Sequence, residues 1–170
     1  MARRAETIRR VAIVPQGPQA AETADPQVFR LRYLRDTNVC IAILNGKSPQ
    51  IEARLVKELK ADSQMSISSV SAFELWYGVA KSARRPANTQ QMASFLGNWV
   101  SLLSFDDLDA RFAGELRAEL ESIGRPIGEY DLLIAGQALR HDMILVTANV
   151  KEFGRVKNLK WEDWSKGPGA

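Results

Sequence analysis

Arg32-Tyr33-Leu34-Arg35-Asp36-Thr37-Asn38, followed by Val39-Cys40-Ile41-Ala42-Ile43-Leu44, is the stretch on which the fold turns. A short apolar strand runs into a carboxylate, then into two small polar residues, then into an apolar helical turn. In an open α/β sheet, ligands bind outside the carboxyl ends of the strands, where the chain swings into a helix. Asp36 stands at such an end. Thr37 or Asn38 can cap the following turn by accepting a hydrogen bond from a free backbone N–H. An aspartate after a first strand is about as often a plain cap as a ligand, so its reading depends on what the chain brings to the same edge.

Outward from that stretch, strands and helices alternate. Strand one spans Tyr33 to Asp36. Pro49 can open a helix to about Lys60, with Ile51, Leu55 and Leu59 on one face. Met65-Ser66-Ile67-Ser68 alternates as a strand does. Ser71 opens a helix carrying Phe73, Leu75, Trp76 and Val79, and Ala83 to Asn88 reads as a basic loop. A helix from Thr89 to Val100 and a strand from Leu102 to Phe105 follow. Asp107 or Asp109 caps a long helix striped by Ala113, Leu116, Leu120 and Ile123. Gly124-Arg125-Pro126-Ile127-Gly128 stops it. Glu129 to Arg140 is an apolar helix, Met143 to Thr147 a buried strand, and Leu159-Lys160-Trp161 a last short one. This order predicts right-handed crossovers and an α/β/α sandwich around a central, mainly parallel twisted sheet.

The bulk properties are those of an ordinary globular chain. Of 170 residues, 45% are hydrophobic and 25% charged, enough for one domain with a real core. No apolar run approaches membrane-spanning length. The net charge of +3 is inflated by residues 1–30, where Arg3, Arg4, Arg9, Arg10 and Arg30 outnumber Glu6, Glu22 and Asp25. Charge alone therefore gives no argument for nucleic-acid binding by the remainder. Residues 1–30, punctuated by Pro15, Pro18 and Pro26, read as a leader, either disordered or lying upstream of a natural start near Val28 or Leu31. The domain is expected over 31–165, with a short tail at 166–170. Cys40 is the single cysteine, which excludes an intramolecular disulfide and suits a reducing, cytoplasmic setting; it reads as a buried small hydrophobe.

Several site types are absent. Asn45-Gly46-Lys47-Ser48 lacks the leading Gly of a phosphate-binding loop, and neither a Gly-x-Gly-x-x-Gly turn nor a Gly-x-Ser-x-Gly elbow occurs. His141 is the only histidine and sits where a helix C-terminus favours it structurally. What remains are oxygen ligands. Glu74 read alone is the fourth residue of a capping box opened by Ser71. Asp131 lies in a first helical turn, where a carboxylate complements the dipole. Asn149 can be a turn residue. Taken with Asp36, however, all four lie at a strand's carboxyl end or the start of the next helix. Carboxylates so gathered repel unless a cation neutralises them. A set without Cys or His suits a hard ion, Mg²⁺ or Mn²⁺, of the kind that holds phosphate oxygens and activates water.

These residues carry a resemblance. Asp36-Thr37-Asn38, Ser68-Ser69-Val70-Ser71-Ala72-Phe73-Glu74-Leu75-Trp76-Tyr77-Gly78, Pro126-Ile127-Gly128-Glu129-Tyr130-Asp131 and Leu145-Val146-Thr147-Ala148-Asn149 fall in the order and spacing of a PIN-domain ribonuclease of the VapC toxin type. The resemblance covers about Leu31 to Ser165, including the Trp161-Glu162-Asp163-Trp164 tail. It implies a PIN-like sandwich and catalytic residues Asp36, Glu74, Asp131 and Asn149. Asp36 and Asp131 would be the principal Mg²⁺ ligands (Mn²⁺ as an alternative), and Glu152 a further nearby acid. It also implies an endoribonuclease acting on RNA, a homodimer, and a VapB-type antitoxin partner that alone contacts DNA. Trp76 and Tyr77 are either candidates for an aromatic groove holding that antitoxin or residues of the core. Two residues depart from the pattern: Ala148, where Asn is frequent, and Arg35, where an apolar residue is usual. Arg35 either pairs with Asp36 or points to the strand's other side. The competing readings are a non-cleaving protein that keeps the fold, and a phosphotransfer domain with Asp36 as nucleophile, for which Asn38 replaces the usual second Asp.

Overall fold

The computed structural model of the chain describes residues 30–98 and 101–166. The expected leader, apart from Arg30, lies outside the described residues, as do the end of the helix expected to reach Val100 and the tail beyond Lys166.

Among the described residues, five strands form one sheet: β1 (Arg32–Arg35), β2 (Gln64–Ser68), β3 (Ser101–Leu103), β4 (Ile144–Val146) and β5 (Trp161–Glu162). Their order is β3-β2-β1-β4-β5, and every pairing is parallel, so the sheet is wholly rather than mainly parallel. The helices are α1 (Thr37–Asn45), α2 (Pro49–Lys60), α3 (Ser69–Ala80), α4 (Arg85–Asn98), α5 (Asp107–Ser122), α6 (Glu129–Arg140) and α7 (Val150–Phe153). The chain winds from β1 through β2 to β3, then crosses back to lay β4 on the other side of β1. A crevice must open at the carboxyl ends of β1 and β4, where the winding reverses.

The period-2 alternation of β1 assigns its faces. Leu34 joins Leu145, Leu116, Leu120 and Ile134 in the core under α5 and α6. Tyr33 points the other way and packs with Val39, Ile51, Leu55, Val146 and Trp164. A third cluster, Cys40, Ile67, Ala72, Leu75, Met92 and Phe95, joins α1, α3 and α4. Burial pushes the Cys40 thiol up to about 12, so it is an inert core residue. Helices α5 and α6 meet at Gly136, where a Cβ would come within 2.9 Å of the Ala113 Cβ. Only glycine permits that approach, which fixes α6 and so the placement of Asp131.

Several local readings are corrected. Asp36 itself, not Thr37 or Asn38, caps α1, its carboxylate accepting from the Val39 N–H. Ser68, not Ser71, caps α3, because β2 runs to the very residue at which the helix starts. Ser71 is therefore buried inside α3, and the proposed capping box with Glu74 does not form. Asp106, rather than Asp107 or Asp109, caps α5, with Asp109 completing a capping box. The basic stretch is half helical, since α4 begins at Arg85. Pro49 does open α2, behind a Ser48 cap.

Arg35 shares the Tyr33 face of β1 and points away from Asp36. It is 1% exposed and its guanidinium carbon lies 5.8 Å from the Phe95 ring centre. Its Nε and Nη2 have no hydrogen-bond partner among the described residues.

Candidate active site

Asp36 leaves β1 at the crevice, with its side chain buried. One carboxylate oxygen accepts from the Val39 N–H at 2.8 Å and the other from the Thr147 hydroxyl at 2.5 Å. Thr147 follows β4 directly, and its hydroxyl oxygen in turn accepts from the Asn149 N–H at 2.9 Å. The Asn149 side-chain amide reaches across to donate to Asp131 at 2.9 Å. From α3, Glu74 accepts a short hydrogen bond from the Thr37 hydroxyl. Glu152, on α7, accepts from the Gly128 N–H at 3.2 Å, just ahead of the helix that carries Asp131.

The four residues expected from the sequence, and Glu152 with them, therefore face one crevice. The electrostatics record their proximity. The Asp36 carboxyl is pushed up to about 6, first by burial and then by the charges of Asp131 and Glu74, against the opposing pull of Thr147 and Val39. Asp131 is raised as well, by burial, then Glu74 and Glu152, with the Asn149 amide opposing. Two acids held up by burial and by the carboxylates around them make a site with unmet demand for positive charge.

The donor set fits a hard divalent ion. Among the described residues, no three His, Cys, Asp or Glu side chains form a ready-made ion cage. Mg²⁺ does not ask for one: it keeps several waters and takes one or two carboxylates together with substrate phosphate oxygens. Each acid here is aimed by a hydroxyl or amide, the arrangement by which outer partners orient metal ligands. Thr37 and Thr147 are the residues the sequence reading missed in this role. Their signal was present: each is a hydroxyl residue at the junction between a strand and the helix that follows.

Besides the crevice, a groove of about 270 Å³ adjoins Glu74 between α1, α3 and α4, lined by Ile41, Leu44, Leu75, Val79 and Met92 among others. It is aliphatic, and Trp76 and Tyr77 do not line it. His141 is a structural residue: its Nε2 lies 3.1 Å from Asp109, at the opposite end of α6 from Asp131. Among the described residues no helix is long and apolar enough to cross a membrane.

A profile of the PIN domain matches residues 33–159. The chain belongs to the PIN-domain family. Its similarity extends to proteins of the VapC branch: it is 38% identical to the tRNA(fMet)-specific endonuclease VapC of Shigella flexneri over 79% of this chain and 99% of that protein. It is 39% identical to ribonuclease VapC2 of Rickettsia felis over 79% and 98%, respectively. The crystal structure of VapBC2 from Rickettsia felis bound to a DNA fragment from their promoter shares its fold with a TM-score of 0.73 at 36% identity, covering 79% of this chain and 99% of that one. PIN-domain VapC nucleases depend on a divalent metal, in keeping with the oxygen-only crevice.

Proposed function

We propose that this chain is an endoribonuclease of the VapC type, the toxin of a toxin–antitoxin pair, and that its PIN domain spans residues 31–165. The observation that carries the reading is the gathering of Asp36, raised by burial and by Asp131 and Glu74, and Asp131, raised by burial and by Glu74 and Glu152, at the crevice where the parallel sheet reverses its winding. Relatives named ribonuclease VapC and tRNA(fMet)-specific endonuclease support the substrate class, and the VapBC2 complex supports an antitoxin partner. The ion is Mg²⁺, with Mn²⁺ as its substitute, and the setting is the cytoplasm, where RNA and antitoxin are found together.

Asp36 and Asp131 would hold the ion, with Glu74 and Asn149 completing the pocket directly or through water. When bound, the ion supplies charge for the phosphate oxygens and acidifies a water for attack on phosphorus. The protein's own share is placement. Thr147 and the Val39 N–H lock Asp36, Asn149 locks Asp131, and Thr37 locks Glu74, so the acids reach the ion without reorganising. Glu74 Oε1, the oxygen that Thr37 does not hold, would take the proton that the attacking water loses. The aliphatic groove beside Glu74 would seat an apolar segment of the antitoxin, and the protein would work as a homodimer.

The test is expression without antitoxin, paired with RNA cleavage by the purified chain in Mg²⁺. The initiator tRNA named for the Shigella relative is the first substrate to try. Growth arrest and cleavage are expected from the parent and lost in Asp36→Asn and Asp131→Asn. Cleavage at the parental rate by either variant overturns the metal-site reading.

A further inference from the structure

Phe73, Tyr77 and Tyr130 form an aromatic cluster that neither the core nor the acid crevice uses. They are 52%, 57% and 44% exposed, and because the rings touch one another they form a contiguous patch rather than scattered surface residues. Phe73 and Tyr77, one helical turn apart on α3, lie nearly parallel with centres 6.5 Å apart. The Phe73 ring also meets Tyr130 on α6, centre to centre 5.6 Å. Phe73 lies on α3, which delivers Glu74, and Tyr130 on α6, which delivers Asp131, so the cluster bridges the two helices that each carry an acid.

The same stripe of α3 continues into positive charge. Lys81, one turn beyond Tyr77, places its ammonium 5.1 Å from that ring's centre. Arg84 and Arg85 follow, both exposed. None of the three has a carboxylate partner among the described residues, whereas Arg111, Arg117 and Arg140 are each paired with an acid. The basic stretch singled out in the sequence is thus an unspent cationic run at the end of an aromatic stripe.

We infer that Phe73, Tyr77 and Tyr130, continued by Lys81, Arg84 and Arg85, form a track for single-stranded RNA leading out of the acid crevice. It stacks one or two unpaired bases next to the scissile phosphate and neutralises the phosphates beyond them. The inference rests on the nuclease reading above and adds the strand's path and the demand for unpaired bases. Every base presents a face that can stack on an aromatic ring, and a polyanion follows a cationic groove. An apolar protein segment would be served by the rings but not by three unpaired cations next to them. A duplex keeps its bases stacked on one another and has none to offer.

The experiment uses the full-length chain carrying Asp36→Asn, so that the probe survives, and a single-stranded RNA oligonucleotide with 2-aminopurine walked along its length. The chain is expected to quench the fluorophore at one or two adjacent positions. Phe73→Ala and Tyr130→Ala should each weaken binding about tenfold and abolish the quenching, while Phe73→Trp and Tyr130→Phe retain both. Lys81→Gln and Arg84→Gln should each flatten the slope of log affinity against log salt by about 0.7. Unchanged binding and quenching in the alanine variants overturns the track. So does an equal loss for duplex RNA, or variants that bind RNA normally yet fail to dimerise or to bind antitoxin. The chain with Asp36 restored separates the two readings. RNA bound and quenched but uncut in Mg²⁺ sinks the nuclease and leaves the track, whereas cleavage unaffected by the alanine substitutions sinks the track and leaves the nuclease.

Discussion

Asp36 and Asp109 are both buried aspartates at the start of a helix, and their surroundings treat them in opposite ways. Asp109 closes a capping box with Asp106. It also receives Gln137 Nε2 at 2.8 Å, Arg140 Nη1 at 2.7 Å and His141 Nε2 at 3.1 Å. These donors outweigh the cost of burial and hold its carboxyl below the usual range. Asp36 has only a backbone N–H and the Thr147 hydroxyl, with two further acids facing it, and sits near 6. Burial is common to both; compensation is not. The satisfied aspartate clamps the first turn of α5 to the last turn of α6, and the unsatisfied one marks the site. The two lie toward opposite ends of α6, so one helix serves as both structural member and active-site wall.

The contrast can be tested by exchanging roles. Asp36→Asn should reduce RNA cleavage about a thousandfold or more, as expected when an ion worth several kcal/mol to the transition state loses a ligand. The folded protein should be at least as stable, because an uncompensated charge has been removed. Single-turnover cleavage and urea unfolding read the two effects separately. Asp109→Ala should do the reverse. Stability should fall by about 2–3 kcal/mol, since donors on α6 are left without their acceptor, while cleavage per folded molecule stays near parental.

Thr147→Val is the next step down. It removes the hydroxyl that aims Asp36 and should lower divalent-ion affinity about tenfold, measured by calorimetric titration, with little change in unfolding. The smallest effect is in pH. The folded Asp36 carboxyl binds its proton more tightly than the unfolded one. Its contribution to stability is therefore present at low pH and lost as pH rises through about 6. Asp109, shifted the other way, contributes above its unfolded value near 4 and loses that contribution only in acid. In EDTA, the parent should gain about 1 kcal/mol between pH 7 and pH 5 relative to Asp36→Asn. Equal pH profiles for the two proteins would show that Asp36 is not strained by its neighbours.

Much of the molecule was legible in the chain because its signals are local. Pro49 behind Ser48, the aliphatic run from Ile144 to Val146, and the Gly124–Gly128 stop each act within one turn or strand. Asp36, Glu74, Asp131 and Asn149 could be placed at one edge because strand–helix alternation fixes which ends of the elements meet. The errors came where a local rule was overruled by a neighbour. Ser71-x-x-Glu74 satisfies the pattern of a capping box, but β2 delivers the chain into α3 at Ser68, leaving Ser71 inside the helix and Glu74 free to meet Thr37. Trp76 and Tyr77 are neighbours in the chain but not in direction, since successive helical residues point to different sides. Tyr77 turns toward Phe73, one turn away.

By itself the sequence determined that an oxygen-rich site forms at the end of strand one, since acid types, their order and the alternation of elements are properties of the chain. Only the tertiary structure decided which hydroxyl and amide aim each acid. The Thr147–Asp36 and Asn149–Asp131 hydrogen bonds join residues 111 and 18 positions apart, and distances of that kind are set by how strands pair and helices pack. Arg35 is the plainest case. Its place beside Asp36 in the chain allowed either an ion pair or the strand's other side, and the packing against Phe95 decided for the second.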